Sequence, residues 1–193
     1  MANFDERALR TAVTVADETG SRVAIHTMAR EVPSQAVAAG VHSIEHGLFL
    51  TEHDIGELGG RSGMWVPTLL RAEATLEQLG ESSSGGRLFA EGLANVRNLL
   101  PMAGEAGVRV LTGTDLVGTP ANVAGEAMRL GDYGLSNRQV VTAVASAGFV
   151  ATGRDIDFAP GTAADAVFFD ADPVRELAVL TRPATVLRLG RRL

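Results

Sequence analysis

Short apolar segments rich in β-branched residues alternate with helical stretches along most of this chain, and that alternation constrains the fold more than any other feature. Arg22-Val23-Ala24-Ile25-His26 is the first such segment, Val41 to His46 the second, Met64-Trp65-Val66-Pro67-Thr68 the third and Val108-Arg109-Val110-Leu111-Thr112 the fourth. Each is short and nearly continuous in its apolar residues, the mark of a strand buried on both faces. Between them the apolar spacing is helical. Asn3 followed by Glu6 has the form of a helix N-cap with its reciprocal glutamate, and Leu9, Val13 and Ala16 repeat at helical spacing until Gly20. Further helices are expected over Ser34 to Ala39, Glu52 to Leu58, Leu88 to Gly104, Asn122 to Leu130 and Ser136 to Ser146. From Leu69 to Gly86 the chain turns polar and ends in Glu81-Ser82-Ser83-Ser84-Gly85-Gly86, which predicts an excursion or mobile loop.

Strand followed by helix, repeated along the chain, predicts an α/β fold with a parallel sheet covered by helices. The tail differs. After Gly153 come Ala159-Pro160-Gly161, Ala166-Val167-Phe168-Phe169, Asp172-Pro173 and Ala184 to Gly190, short apolar runs separated by turn residues. This predicts two parts: residues 1–152 carry the parallel sheet, and residues 153–193 form a small β appendage.

Polar residues with chemical potential stand at the C-terminal ends of the expected strands: His26, His46, Thr68, and Asp115 just beyond the fourth. In barrels and open α/β sheets, ligands and catalytic groups collect at that edge, because strand ends hold side chains rigidly while the following loops close over them. Two neutral imidazoles and a carboxylate meeting there form a ligand set for Zn²⁺ or a similar divalent ion. Taken singly, each residue has an equally good structural reading. A lone strand-end histidine is more often a hydrogen-bonded structural group, and Asp115, between Gly113 and Gly118-Thr119-Pro120, has the setting of a turn or N-cap residue.

Composition removes other classes. There is no cysteine, so disulfides, thiolate metal sites and a cysteine nucleophile are excluded, which fits a reducing cytoplasm. There is no lysine either: all 17 basic residues are arginine, and a lysine Schiff base or carbamate is impossible. A net charge of −6 with scattered arginines argues against a nucleic-acid face. No stretch holds the roughly 18 or more uninterrupted apolar residues that span a bilayer, and the N-terminus lacks the apolar core of a signal peptide. A phosphate-binding α/β protein is disfavoured because Gly59-Gly60 and Gly85-Gly86 do not follow strands at the required spacing.

The ordered series Ile25-His26, Ser43-Ile44-Glu45-His46-Gly47, Pro67-Thr68-Leu69 and Leu111-Thr112-Gly113-Thr114-Asp115 resembles strands five to eight of the amidohydrolase superfamily, especially its imidazolonepropionase-like and dipeptidase-like branch. Pro160-Gly161-Thr162-Ala163-Ala164-Asp165-Ala166-Val167 and the closing Pro183 to Gly190 resemble the β-sandwich segment that follows such barrels. The resemblance implies the C-terminal half of a (β/α)8 TIM-type barrel, strands five to eight, with a β-sandwich remnant. It implies that His26 and His46 bind one divalent metal, zinc or similar, while Asp115 binds a second and serves as general base; a complete site of the family holds one or two ions. By their positions Trp65, Thr68 and Thr114 are candidates to line a pocket, with core packing an equal reading of Trp65, and Thr68 and Thr114 are the candidate substrate contacts. The reaction implied is hydrolysis of C–N bonds in cyclic amides or peptide-like small molecules by metal-activated water.

The same resemblance marks what is missing. The family carries a His-x-His pair on its first strand and, in two-metal members, a carboxylated lysine on the fourth; neither is present here. The chain is expected to start after the fourth strand, as a truncated enzyme or as an inactive fragment serving only as an assembly partner. Four strands of a barrel leave two unpaired edges, so self-association or poor solubility is expected. Three other residues are expected outside the chemistry: His42 structural at the opposite end of its strand, His53 solvated on an exposed helix, and Glu45, which strand alternation turns away from His46, in packing or a salt bridge.

Overall fold

The computed structural model describes residues 4–116, 122–154, 156 and 159–193. Its first sheet has four parallel strands in sequential order: β1 (Ala24–Thr27), β2 (Ser43–His46), β3 (Met64–Val66) and β4 (Arg109–Val110). Helices α1 (Glu6–Glu18), α2 (Val32–Ala38), α3 (Glu52–Gly60), α4 (Leu69–Leu79), α5 (Ser84–Ala106), α6 (Val123–Asp132), α7 (Asn137–Ala145) and α8 (Ala147–Ala151) precede, connect and follow them. The expected α/β architecture with a parallel sheet is present. A second sheet, β5 (Ala166–Phe168), β6 (Thr185–Arg188) and β7 (Arg191–Arg192), is antiparallel. No helix among the described residues is long and apolar enough to cross a membrane.

The strand register explains why the two faces of the parallel sheet differ. Ile25, Ile44, Trp65 and Val110 are register partners, and side chains alternate along a strand, so they share one face. Ile44 and Trp65 are fully buried there, in one core with Leu58, Leu69, Leu100 and Leu130 from the helices. Burying a side chain of that size stabilises the fold by about 2–3 kcal/mol. The other face carries Ala24, His26, Glu45, Val66 and Arg109, all half-buried or exposed, with Ser43 and Met64 buried among them.

Local chemistry starts the helices. Thr51 and Asp54 form a capping box at α3, with Asp54 Oδ2 accepting from Thr51 N at 2.8 Å, and Ser34 Oγ donating to the same carboxylate at 2.7 Å. Ser136 and Gln139 repeat the device at α7. At α1 the cap is Asp5, whose carboxylate accepts from Ala8 N at 2.7 Å, in place of the expected Asn3, which lies outside the described residues.

The expected loop over Leu69 to Gly86 is corrected by the structure. Residues Leu69–Leu79 form α4, and α5 already begins at Ser84, capped by the Ser83 hydroxyl accepting from Gly86 N. The polar sequence is a solvated helix face. Leu69 and Ala72 supply the narrow buried stripe that docks it, chiefly against α5 and α6.

Candidate functional site at the sheet rim

Three of the sequence-predicted residues meet at the C-terminal rim of the sheet. His26 ends its exposed side chain on β1, and His46, only 2% exposed, closes β2. Their rings meet edge to face at 87° with centroids 4.4 Å apart, and His46 Nε2 lies 2.8 Å from His26 Nδ1. Thr68, just past β3, brings its hydroxyl into hydrogen-bond contact with His46 Nδ1.

Simple strand alternation would not produce this meeting. The register pairs His26 with Glu45, while His46 faces Thr27 and would point among the helices. His46 escapes because its backbone is left-handed, with φ 65°, followed by Gly47 at φ 59°. Trp65 Nε1 fastens that turn by donating to the His46 carbonyl oxygen at 2.9 Å. Gly47 is required there: a Cβ would stand 2.9 Å from Ile44 Cγ2 and 3.0 Å from both Leu50 Cδ1 and Trp65 Nε1. Asn95 of α5 holds the segment beyond, donating to the carbonyls of Leu48 and Leu50, each at 2.9 Å.

Both ring nitrogens of His46 have hydrogen-bond partners. A hydroxyl has one proton, and Thr68 Oγ1 donates it to Pro67 O at 2.7 Å. With the Thr68 proton on Pro67 O, the contact with His46 has Nδ1–H donating, and Nε2 then accepts from His26 Nδ1–H. Burial, reinforced by His26 and Arg71 and opposed by Asp115, lowers the His46 pKa to about 4, so the ring is neutral near neutral pH. A neutral imidazole held through one nitrogen ligates metals through the other, and in His46 that second nitrogen is paired with His26.

Asp115 reaches the same region by another route. It lies in the segment after β4, where Asp115 (φ 42°) and Leu116 (φ 60°) are both left-handed. Aspartate tolerates that conformation; Leu116, which is 77% exposed, gains no packing in return. The carboxylate faces Arg71 of α4, with Arg71 Nε donating to Asp115 Oδ2 at 3.0 Å and Arg71 Nη2 to the Asp115 carbonyl at 2.5 Å. Thr114 is half-buried just before it.

The donor set fits a divalent ion in part. Two ligands on one tetrahedral ion stand about 3.3 Å apart when each bond is about 2.05 Å, so the imidazole nitrogens must separate by roughly half an ångström to admit one. Among the described residues no three His, Asp or Glu side chains gather closely enough to enclose an ion. His26 and His46 face each other across a hydrogen bond, so admitting an ion between them also requires the shared proton to leave, and Asp115 is engaged by Arg71.

His42, His53 and Glu45 take separate places. His42 sits at the start of β2, its Nδ1 accepting from Val23 N at 3.1 Å and its Nε2 3.0 Å from Asp17. His53 is exposed on α3. Glu45 shares the His26 face, accepts from Ser43 Oγ at 2.6 Å, and has its pKa raised by burial.

Sequence reasoning missed two residues. Arg71 carries no local signal of its role. Glu126 does: with Ala127 and Leu130 it forms one helical stripe, and a carboxylate on an apolar stripe is a buried one. Its Oε1 accepts from Leu69 N at 2.7 Å and its Oε2 from Leu70 N at 2.9 Å.

A parallel sheet with paired imidazoles at its C-terminal rim has the arrangement of α/β enzymes that hold ligands at strand ends. The chain belongs to the amidohydrolase family, whose model matches residues 2–192. It is 28% identical over 204 residues to uncharacterised proteins of Mycobacterium bovis and Mycobacterium tuberculosis, covering 97% of this chain and 52% of each relative. Its fold is similar to that of a Xaa-Pro dipeptidase crystallised with methionine in its active site, at TM-score 0.82 and 21% identity, covering 98% of this chain and 49% of that one. A prolidase complexed with N-methylphosphonate-L-proline is similar at TM-score 0.82 and 24% identity, with the same coverage. Ochratoxinase of A. niger is similar at TM-score 0.80 and 20% identity, covering 100% of this chain and 46% of that one. The chain thus spans about half the length of the relatives it matches.

Proposed function

We propose that the chain contributes the His26, His46 and Asp115 part of a metal-dependent hydrolase acting on C–N bonds of cyclic amides or peptide-like small molecules. The observation that supports this most is the orientation of His46, neutral, pinned through Nδ1 by Thr68 and opening Nε2 toward His26 at 2.8 Å. His26 and His46 would hold a divalent cation such as zinc, and Asp115 would complete the set or accept a proton. The chemistry such an ion supplies when bound is Lewis acidity toward water and a carbonyl oxygen. The remaining work falls to the chain. Thr68 holds the His46 ring, a burden its hydroxyl shares only with Pro67 O, and Thr114 is the nearer candidate for a substrate contact. Arg71 must release Asp115 for that carboxylate to act. The dipeptidase and prolidase among the similar structures favour a dipeptide-like substrate.

The four-stranded sheet is, in this proposal, half of a (β/α)8 barrel, with β5 to β7 as a sandwich remnant. The open second face and relatives of about twice the length support it. One observation favours a second reading, a non-catalytic half that acts as an assembly partner: Asp115 is engaged by Arg71, and no three-ligand cluster exists among the described residues. Zinc titration by calorimetry, with hydrolysis assays on dipeptides, separates the two. Zinc binding lost in His26→Ala and His46→Ala, together with hydrolysis lost in Asp115→Ala, is expected from the first reading. Binding without hydrolysis selects the second. Absence of zinc binding by the wild-type chain overturns the metal-centred reading.

A further inference from the structure

We infer that Glu126 is a positioning residue that sets the orientation of His46 through the N-terminus of α4 and Thr68. The starting observation is an unusual helix entry. Thr68 occupies the N-cap of α4 but is left-handed (φ 51°, ψ 52°) and its side chain makes no capping bond. Its hydroxyl is instead committed to Pro67 O and His46 Nδ1. A threonine that served as an ordinary cap would use that oxygen on the first turn of the helix and release His46.

The amides left without a cap are satisfied from elsewhere. Glu126, 57 residues from Leu69 in sequence, is fully buried and accepts from Leu69 N at 2.7 Å and Leu70 N at 2.9 Å. The carboxylate thus does for α4 what Thr68 would otherwise do, and its two N–H bonds pin the peptide units that immediately follow Thr68. Glu73 and Arg129 are the charged groups felt by Glu126; Arg129 Nε donates to Glu73 at 2.8 Å, and Glu73 also accepts from the Tyr133 hydroxyl. Burial raises the Glu126 pKa to about 7, so this placement opposes stability and is retained at a cost.

The functional meaning of this inference rests on reading His46 as a ligand, but the geometric link is testable without metal. In full-length chain labelled with ¹⁵N-histidine, wild type is expected to show His46 in the Nδ1–H form. Glu126→Gln, which keeps the volume and supplies one acceptor in place of two, is expected to shift the His46 ring signals and to speed amide exchange at Leu69 and Leu70. Thr68→Val is expected to remove the sensitivity of His46 to Glu126→Gln, because it cuts the intermediate link. Glu91→Gln, in the surface pair with Arg30, is the control and leaves His46 unmoved. Should Glu126→Gln fail to fold, Glu126→Asp keeps the charge on a side chain one methylene shorter and must show the same two changes. Unaltered His46 signals in a folded Glu126 variant overturn the inference. Zinc affinity separates it from the hydrolase reading: a loss of roughly 10- to 100-fold in Glu126→Gln is expected if both hold, whereas ring shifts with no zinc binding in wild type retain the Glu126 link and sink the metal site.

Discussion

Glu126 also makes a quantitative prediction about stability and pH. Burial pushes its carboxyl from the ordinary 4.5 up to about 7, against the two backbone N–H bonds that favour the ionised form. In the unfolded chain the proton leaves near pH 4.5, whereas in the folded chain it stays until about pH 7. Between those values the folded state binds more protons than the unfolded state, so stability falls as pH rises and the loss is complete above about pH 7. The gap corresponds to about 3 kcal/mol. Glu126→Gln cannot titrate. The assay is urea unfolding of both proteins at a series of pH values from about 4.5 to 8. Glu45, raised by burial, and Glu91, lowered by its bond to Arg30, contribute slopes of their own that are common to both proteins and subtract out. The variant is expected to gain on wild type by about 3 kcal/mol across the range. A difference constant to within about 0.5 kcal/mol would refute the claim that this carboxylate is desolvated.

Three further outcomes are expected. Gly47→Ala combines a left-handed backbone with close contacts to Ile44, Leu50 and Trp65, and should cost about 2–4 kcal/mol in urea unfolding; a loss under about 1 kcal/mol would contradict the geometry. Trp65→Phe leaves the buried His46 carbonyl without its donor and should cost about 1–3 kcal/mol beyond the change in packing, measured by circular dichroism because the chain has a single tryptophan. Sedimentation velocity should show self-association that grows with concentration, driven by the open edges of β1 and β4; a monomer at every concentration would contradict it.

The strands, most of the helices and the rim positions of His26 and His46 were legible in the sequence because their causes are local. Apolar runs, helical spacing and capping boxes such as Ser136 with Gln139 act within a few residues. Helix α4 was misread because its cause is not local. Its first residue follows a left-handed threonine that gives no capping signal, its buried stripe is narrow, and its amides are capped by a glutamate on α6. The approach of Arg71 to Asp115, 44 residues apart, is equally invisible to any pattern of neighbours.

By itself, then, the sequence determined an α/β chain of the amidohydrolase family and the strand-end positions of His26 and His46. Tertiary structure alone decided which atom of His46 faces the rim and what holds it there. The reason is that a tautomer and a ring orientation are set by hydrogen-bond partners. Those partners, Thr68, Trp65 and at one remove Glu126, come from strands and helices that meet only when the sheet and its helices pack.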